Sequence, residues 1–135
     1  MNLSNSTDLY WLAMTLLMTS LLWIPYIINR LLEQGIFNAV WDRTGDTYTK
    51  KIWANRMMRA HKNAVEKLVV FAPLVILIEI AGLNSSATAT ACMIYFFARL
   101  CHYLVFTFAL PLLRVITFLT GFAVQVFLAA TLLGI

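Results

Sequence analysis

Long runs of apolar residues alternate with short polar stretches along the chain, and the runs have the length of membrane helices rather than of amphipathic surface helices. The first, residues 8–29, follows a Thr7-Asp8 cap and reaches about 33 Å at 1.5 Å per residue, enough to cross a bilayer. Pro25 near its end predicts a kink. A polar, basic connection over 30–52 carries Gly35, Gly45 and the interface-type aromatics Trp41 and Trp53 at its edges. The second helix is expected over 53–81, ended by Gly82. At about 43 Å it exceeds the hydrocarbon thickness, so its charged first turns project into the interface. Asn84-Ser85-Ser86 is a short turn with capping residues, a third helix follows over 86–110, and Pro111 opens a fourth over 111–134. The expected architecture is all-α: a single four-helix membrane domain over 1–135. Nothing in Met1–Thr7 has the form of a cleavable signal, so the first run is expected to remain as a membrane helix.

Composition agrees with the pattern. Of 135 residues, 61% are hydrophobic and 12% charged, with a mean hydropathy of +0.81. A core of this size cannot hide that much apolar surface, which excludes a soluble domain; the same surplus excludes disorder, and two cysteines exclude a disulfide scaffold. Cys92 and Cys101 fall in one helix, roughly 13 Å apart on opposite faces, so they read as packing residues rather than a bridge. The charge of +4 is concentrated: Arg30, Arg43, Lys50, Lys51, Arg56, Arg59, Lys62 and Lys67 lie in one segment, and only Arg99 and Arg114 lie outside it. By the positive-inside rule the connection between helices 1 and 2 faces the cytoplasm, and four spans then put both termini on the other side.

Ionisable residues inside a bilayer need a partner or a task. Counted from the turn at 82–85, Glu66 lies roughly 24 Å deep and Arg99 roughly 21 Å, so they are expected to form a structural ion pair. His102 and Asn63 follow at roughly 26 and 29 Å, and Arg114 opens the last helix near the same edge. Arg56, Arg59, Asn63 and Glu66 share one face. Tyr95, Arg99, His102, Tyr103 and Phe106 share another, and Arg114, Thr117, Phe118, Gly121 and Gln125 a third. Three polar stripes facing lipid are prohibitive, so they are expected to face each other or a neighbouring subunit. Glu79, near the far end, reads as snorkelling to water. The sequence contains no metal-ligand spacing, nucleophile elbow or phosphate loop, so no metal is expected. Cationic and donor groups around one carboxylate suit a small polar anion that also carries an ammonium group, with a lipophilic second substrate admitted from the bilayer.

The run Asn55-Arg56-Met57-Met58-Arg59-Ala60-His61-Lys62-Asn63-Ala64-Val65-Glu66 resembles the R-x-x-R-A-x-x-N-x-x-E motif of the MAPEG superfamily, the membrane-associated proteins in eicosanoid and glutathione metabolism. Ala98-Arg99-Leu100-Cys101-His102-Tyr103 and Pro111-Leu112-Leu113-Arg114 are similar to its R-x-x-H and P-x-(x)-R elements. The resemblance implies a homotrimer of four-helix protomers with glutathione, a cosubstrate, held between subunits at the cytoplasmic side. Arg30, Arg59, Lys62, Asn63, Glu66 and His102 would bind the tripeptide. Arg114 would be catalytic, its guanidinium favouring thiolate over thiol. Lys62, where many relatives carry arginine, keeps the charge without the bidentate fork.

Where the eicosanoid enzymes carry a serine and then a tyrosine after this arginine, the chain has Val115 and Phe118, and the tyrosine after the helix 3 histidine is Phe106. Those differences argue against prostaglandin or leukotriene synthesis and bring the chain closer to the short bacterial branch, which implies an inner-membrane location. The function expected is a membrane-bound glutathione-dependent transferase or peroxidase acting on lipophilic electrophiles or hydroperoxides. Two alternatives stand beside it: a non-catalytic lipid-binding or assembly subunit on the same scaffold, and a small proton-coupled transporter using Glu66. No nucleic-acid partner is expected.

Overall fold

The computed structural model describes residues 5–42 and 49–135, and those residues form helices and turns with no strand. Arg43 and Gly45 of the basic connection, and the first residues of the start, lie outside them. The order is α1 (Thr7–Leu21), α2 (Ile24–Gln34), α3 (Ile36–Val40), α4 (Ile52–Ala81), α5 (Ser86–Thr107) and α6 (Pro111–Leu133). Three stretches are long and apolar enough to cross a membrane: Thr7–Gln34, Ser86–Thr107 and Pro111–Leu133.

The chain starts and stops these helices with local chemistry. α1 is capped by Ser6, whose hydroxyl accepts from the Leu9 amide, one residue before the Thr7-Asp8 cap expected. The break between α1 and α2 falls at Leu22–Trp23, because Pro25 in the first turn of α2 has no N–H to return to the preceding turn. Tyr103 donates to the Leu22 carbonyl at 2.7 Å, filling an acceptor at the break. α2 then runs on to Gln34, five residues beyond the expected end, and the short α3 occupies part of the basic connection.

α4 ends in a Schellman motif: Gly82, at φ 68°, bonds to the Glu79 carbonyl and Leu83 to that of Ile78. Ser85 and Thr88 form a reciprocal capping box that starts α5. α5 closes at Thr107, three residues before the expected end, as Ala109 adopts φ 56° and Leu110 bonds to the Val105 carbonyl. Pro111 sits at the start of α6, where its missing N–H costs nothing.

α5 is the central helix, packed against α1, α4 and α6. Its buried residues, from Thr88 and Cys92 to Tyr103 and Thr107, cover about half of its circumference. α4 instead buries a seam of Ala54, Met57, Ala60, Ala64, Phe71, Val75 and Ile78, at spacings of three, four and seven that keep one stripe facing the bundle. The core has two parts. An apolar cluster nearer the 82–85 turn is built on Phe71 stacked over Tyr95, ring centroids 3.7 Å apart, with Leu12, Val75, Ile78, Val124 and Leu128. The other, around Met18, Leu22, Met57, Ala60, Ala64, Phe96 and Tyr103, uses small residues on α4 to bring the helices close. Cys92 is buried in the first cluster as expected, whereas Cys101 is exposed; both are free.

Candidate functional site

The polar residues that the helix periodicity places on α4, α5 and α6 divide into an inner set and an outer set. The inner set is closed. Arg99 is 3% exposed and donates through Nη2 to the Asn63 side-chain oxygen. His102 is also 3% exposed, with Nδ1 at 3.1 Å from the Thr117 hydroxyl. That hydroxyl lies 2.9 Å from the Leu113 carbonyl. Assigning its single proton to the carbonyl makes it the acceptor from His102 Nδ1–H and leaves the ring's lone pair on Nε2. Gln125 donates to the Lys67 carbonyl at 2.9 Å, tying α6 to α4. Gly121 lets the Arg99 side chain lie against α6: a Cβ there would sit 3.5 Å from Arg99 Cδ. Two buried atoms in this layer, Arg99 Nε and Tyr95 Oη, have no hydrogen-bond partner. The crevice among Lys67, Tyr95, Arg99, Phe118, Gly121 and Gln125 leaves no room for a water molecule.

The outer set is open. Arg59, Lys62 and Glu66 are exposed, and at 100° per residue they fall within about 60° of one another on the side of α4 opposite the Ala60–Ala64 seam. Farther along the same side come Val69 and Pro73, both exposed and apolar. The stripe is therefore ionic on its basic-side half and lipid-like on the other. Arg114 is exposed at the start of α6, its guanidinium 5.5 Å from the Phe106 ring. Lys67 rests its ammonium 4.9 Å over Phe118. The two phenylalanines that stand in place of hydroxyl residues thus serve as platforms for cations, and both also flank His102, at 5.9 and 6.1 Å.

The expected ion pair between Glu66 and Arg99 is not formed within the protomer. Equal depth brings the two residues to one layer, but Glu66 lies two residues, or about 200°, from Ala64 in the seam and so points away from α5. Arg99 reaches instead along the bundle to Asn63, one turn nearer the basic connection. Among the described residues the ion pair present is Arg30 with Asp42, which ties Arg30 on α2 to the chain just after α3.

Depth and periodicity did bring Asn63, Arg99 and His102 to one layer, with Thr117 and Gln125 on the α6 face that meets α5 and α4; they put Arg59 and Glu66 on the same face as Asn63, whereas the structure turns those two and Lys62 outward. They gave no sign of two contacts. Lys67 over Phe118 is a contact between helices that spacing does not encode. Tyr26 meets His61 Nδ1 at 2.7 Å and joins α2 to α4, though both residues sit in the sequence as ordinary interface aromatics. No group of three His, Cys, Asp or Glu able to hold a metal occurs among the described residues.

Apolar helices of spanning length around a hydrogen-bonded polar layer define an integral membrane protein of the helical-bundle class. Comparison with family models gives the particular family, since the MAPEG family model matches residues 9–134. The chain belongs to the MAPEG family. No curated protein and no solved structure matches it.

Proposed function

We propose that the protein is a membrane-bound glutathione-dependent transferase or peroxidase, a homotrimer of protomers that each cross the membrane four times. α4 is then the fourth spanning helix. The observation that carries the reading is the ionic stripe of Arg59, Lys62 and Glu66 turned away from its own bundle. Such a stripe against lipid costs several kcal/mol. Against a neighbouring subunit it becomes one wall of a site, with Arg114 on another helix as a candidate for the opposite wall. The closed inner layer has no space for a ligand, which leaves this outer edge for the tripeptide.

Each group has a task there. Arg59 and Lys62 match the carboxylates of glutathione and Glu66 its ammonium group. Asn63 and His102 hold the layer behind them in register. His102 presents Nε2 as its remaining acceptor, and Arg30 at the basic connection is the outermost member of the set. Arg114 acts on the thiol: a guanidinium near sulfur stabilises thiolate, the nucleophile, relative to thiol. The thiolate then attacks a lipophilic electrophile, expelling its leaving group or adding to it with uptake of a proton, or takes the terminal oxygen of a hydroperoxide delivered from the bilayer, releasing the alcohol and leaving a glutathione sulfenic acid that a second glutathione converts to the disulfide and water. The basic connection lies on the cytoplasmic side of a bacterial inner membrane, with both termini opposite.

Phe106 and Phe118 favour one second reading, a lipid-binding or assembly subunit that keeps the scaffold without the chemistry, because their rings supply no hydroxyl beside His102. Calorimetry of glutathione binding to the protein in nanodiscs separates the two, with ultraviolet absorbance of bound thiolate read on the same sample. Saturable binding with a thiolate signal that Arg114→Ala abolishes is the expected result. Binding without thiolate, or none, moves the assignment to the second reading.

A further inference from the structure

At the end of the bundle opposite the basic connection, the N-terminus of α1 meets the turn between α4 and α5 around an open cleft of about 480 Å³. Ser6, Asp8, Glu79, Asn84, Ser85 and Ser86 line it. Glu79 does not extend freely into water as the sequence reading had it: its Oε2 accepts from the Ser6 hydroxyl at 2.8 Å and from the Asn84 amide.

Asp8 is the unusual member. Its side chain is 97% buried, and Oδ2 has no hydrogen-bond partner. Position in the first turn of α1 gives the carboxylate a favourable dipole, but a dipole does not fill the lone pairs of a desolvated oxygen. No lysine or arginine occurs in 1–29, 68–98 or 115–135, so the segments that build this end supply no basic side chain. Two carboxylates therefore share a cleft whose other named groups are neutral oxygens and amides.

We propose that this cleft binds a hard divalent cation of calcium size, held by Asp8 and Glu79 with neutral oxygens from Ser6, Asn84 and Ser86. The donors are oxygen atoms, which select calcium or magnesium over softer metals. Two carboxylates balance the ion's charge. An open cleft leaves positions for water and does not impose the near-ideal octahedron that magnesium requires. The bound ion links α1 to the α4–α5 turn, clamping the end of the molecule remote from the glutathione edge.

The test is calcium titration calorimetry on chelator-stripped protein in phosphatidylcholine nanodiscs, with empty discs as the blank. Thermal unfolding is followed in parallel in calcium and in chelator at one ionic strength. The expected result is saturable binding with a Kd on the order of 0.1–1 mM, the range of weak extracellular calcium modules, and a higher Tm in calcium. Asp8→Asn and Glu79→Gln should each weaken binding at least tenfold and remove the calcium dependence of Tm. Because the Asp8→Asn variant informs only if it folds, Glu79→Gln carries the same test at a half-exposed position. Wild-type heats equal to those of empty discs up to about 10 mM calcium, above that range, overturn the proposal. So does calcium binding that both variants leave unchanged.

Discussion

The two sides of α4 are built from different residues for different neighbours. The side facing the bundle is a seam of alanines and apolar residues, Ala54, Met57, Ala60, Ala64, Phe71, Val75 and Ile78, with Asn63 beside it as the contact to Arg99. The opposite side carries Arg59, Lys62 and Glu66, exposed over the same turns that hold the most closely packed alanines. In a soluble protein this is ordinary amphipathicity. In a membrane it is inverted in meaning, because lipid is no better a partner for a carboxylate than the protein core is. The inner side therefore sets the stability of a protomer, and the outer side marks where another polar surface or ligand belongs.

The inner side is broken most severely at its buried charge. Asn63→Ala leaves the Arg99 guanidinium, already short of a partner at Nε, without its Nη2 acceptor. The expected cost is about 1.5–3 kcal/mol, the range for hydrogen bonds to charged groups, read as a lower Tm of the ligand-free protein. Removing both partners with Asn63→Leu and Arg99→Met should cost less than Asn63→Ala alone. A larger loss in the double variant would mean that the pair itself, rather than an orphaned charge, holds α4 to α5.

Next in size is Phe71→Ala, which removes the ring stacked on Tyr95. Lipid-exposed unfolded helices still bury their apolar groups, so the transfer part of the usual penalty is small and the cavity part remains. At about 24 cal/mol per Å³ over a void of roughly 100 Å³, the expected loss is about 2 kcal/mol. Glutathione affinity should be unchanged, since Phe71 lies in the apolar cluster and meets the inner layer through the Tyr95 ring, away from the exposed ionic stripe. A drop in affinity as large as the drop in stability would show that the two sides of α4 are coupled.

How far the sequence disclosed this arrangement depends on the kind of signal. Helix ends were legible because one residue decides each of them: Gly82 in the left-handed region, Ser85 with its capping box, Pro111 opening α6. The division at Leu22–Trp23 was legible only as a kink at Pro25, since whether a helix bends or restarts depends on what fills its freed carbonyls, here the Tyr103 hydroxyl from another helix. The polar layer was legible from depth and face. The pairing of Glu66 with Arg99 was not, because depth is one coordinate and contact needs two. The second was present in the alanines: a seam through Ala60 and Ala64 already turns Glu66 outward. Contacts such as Lys67 with Phe118 need the helices' mutual rotation, which no single helix encodes.

The outer side is tested by Glu66→Gln. The side chain keeps its shape and loses its charge at an exposed position with no ion pair among the described residues. The expected change in Tm without glutathione is within about 0.5 kcal/mol, as for surface substitutions away from packed features. Glutathione affinity should fall about tenfold, or roughly 1.4 kcal/mol, by calorimetry, because a charge-assisted bond to the ammonium group is replaced by a neutral one. Lys62→Arg should move affinity the other way by restoring a bidentate fork. If Glu66→Gln lowers stability and leaves affinity alone, the outer stripe is a subunit contact and not a ligand wall.

The smallest effect expected is at Gly121, where the inner layer meets α6. A methyl group added there would lie 3.5 Å from Arg99 Cδ and 3.8 Å from both Arg99 Nη1 and Tyr95 Cε2, ordinary contact distances rather than overlaps. Alanine is also the better helix former, by up to about 1 kcal/mol. Gly121→Ala should therefore leave Tm unchanged or slightly raised, with the sign set by whether Arg99 shifts against its bond to Asn63. Combining it with Asn63→Ala decides that question. If the glycine is there to give the arginine room, the two substitutions are non-additive, because a freed guanidinium can move away from the new methyl group. If they add, Gly121 serves α5–α6 packing alone, and Arg99 is positioned from the α4 side.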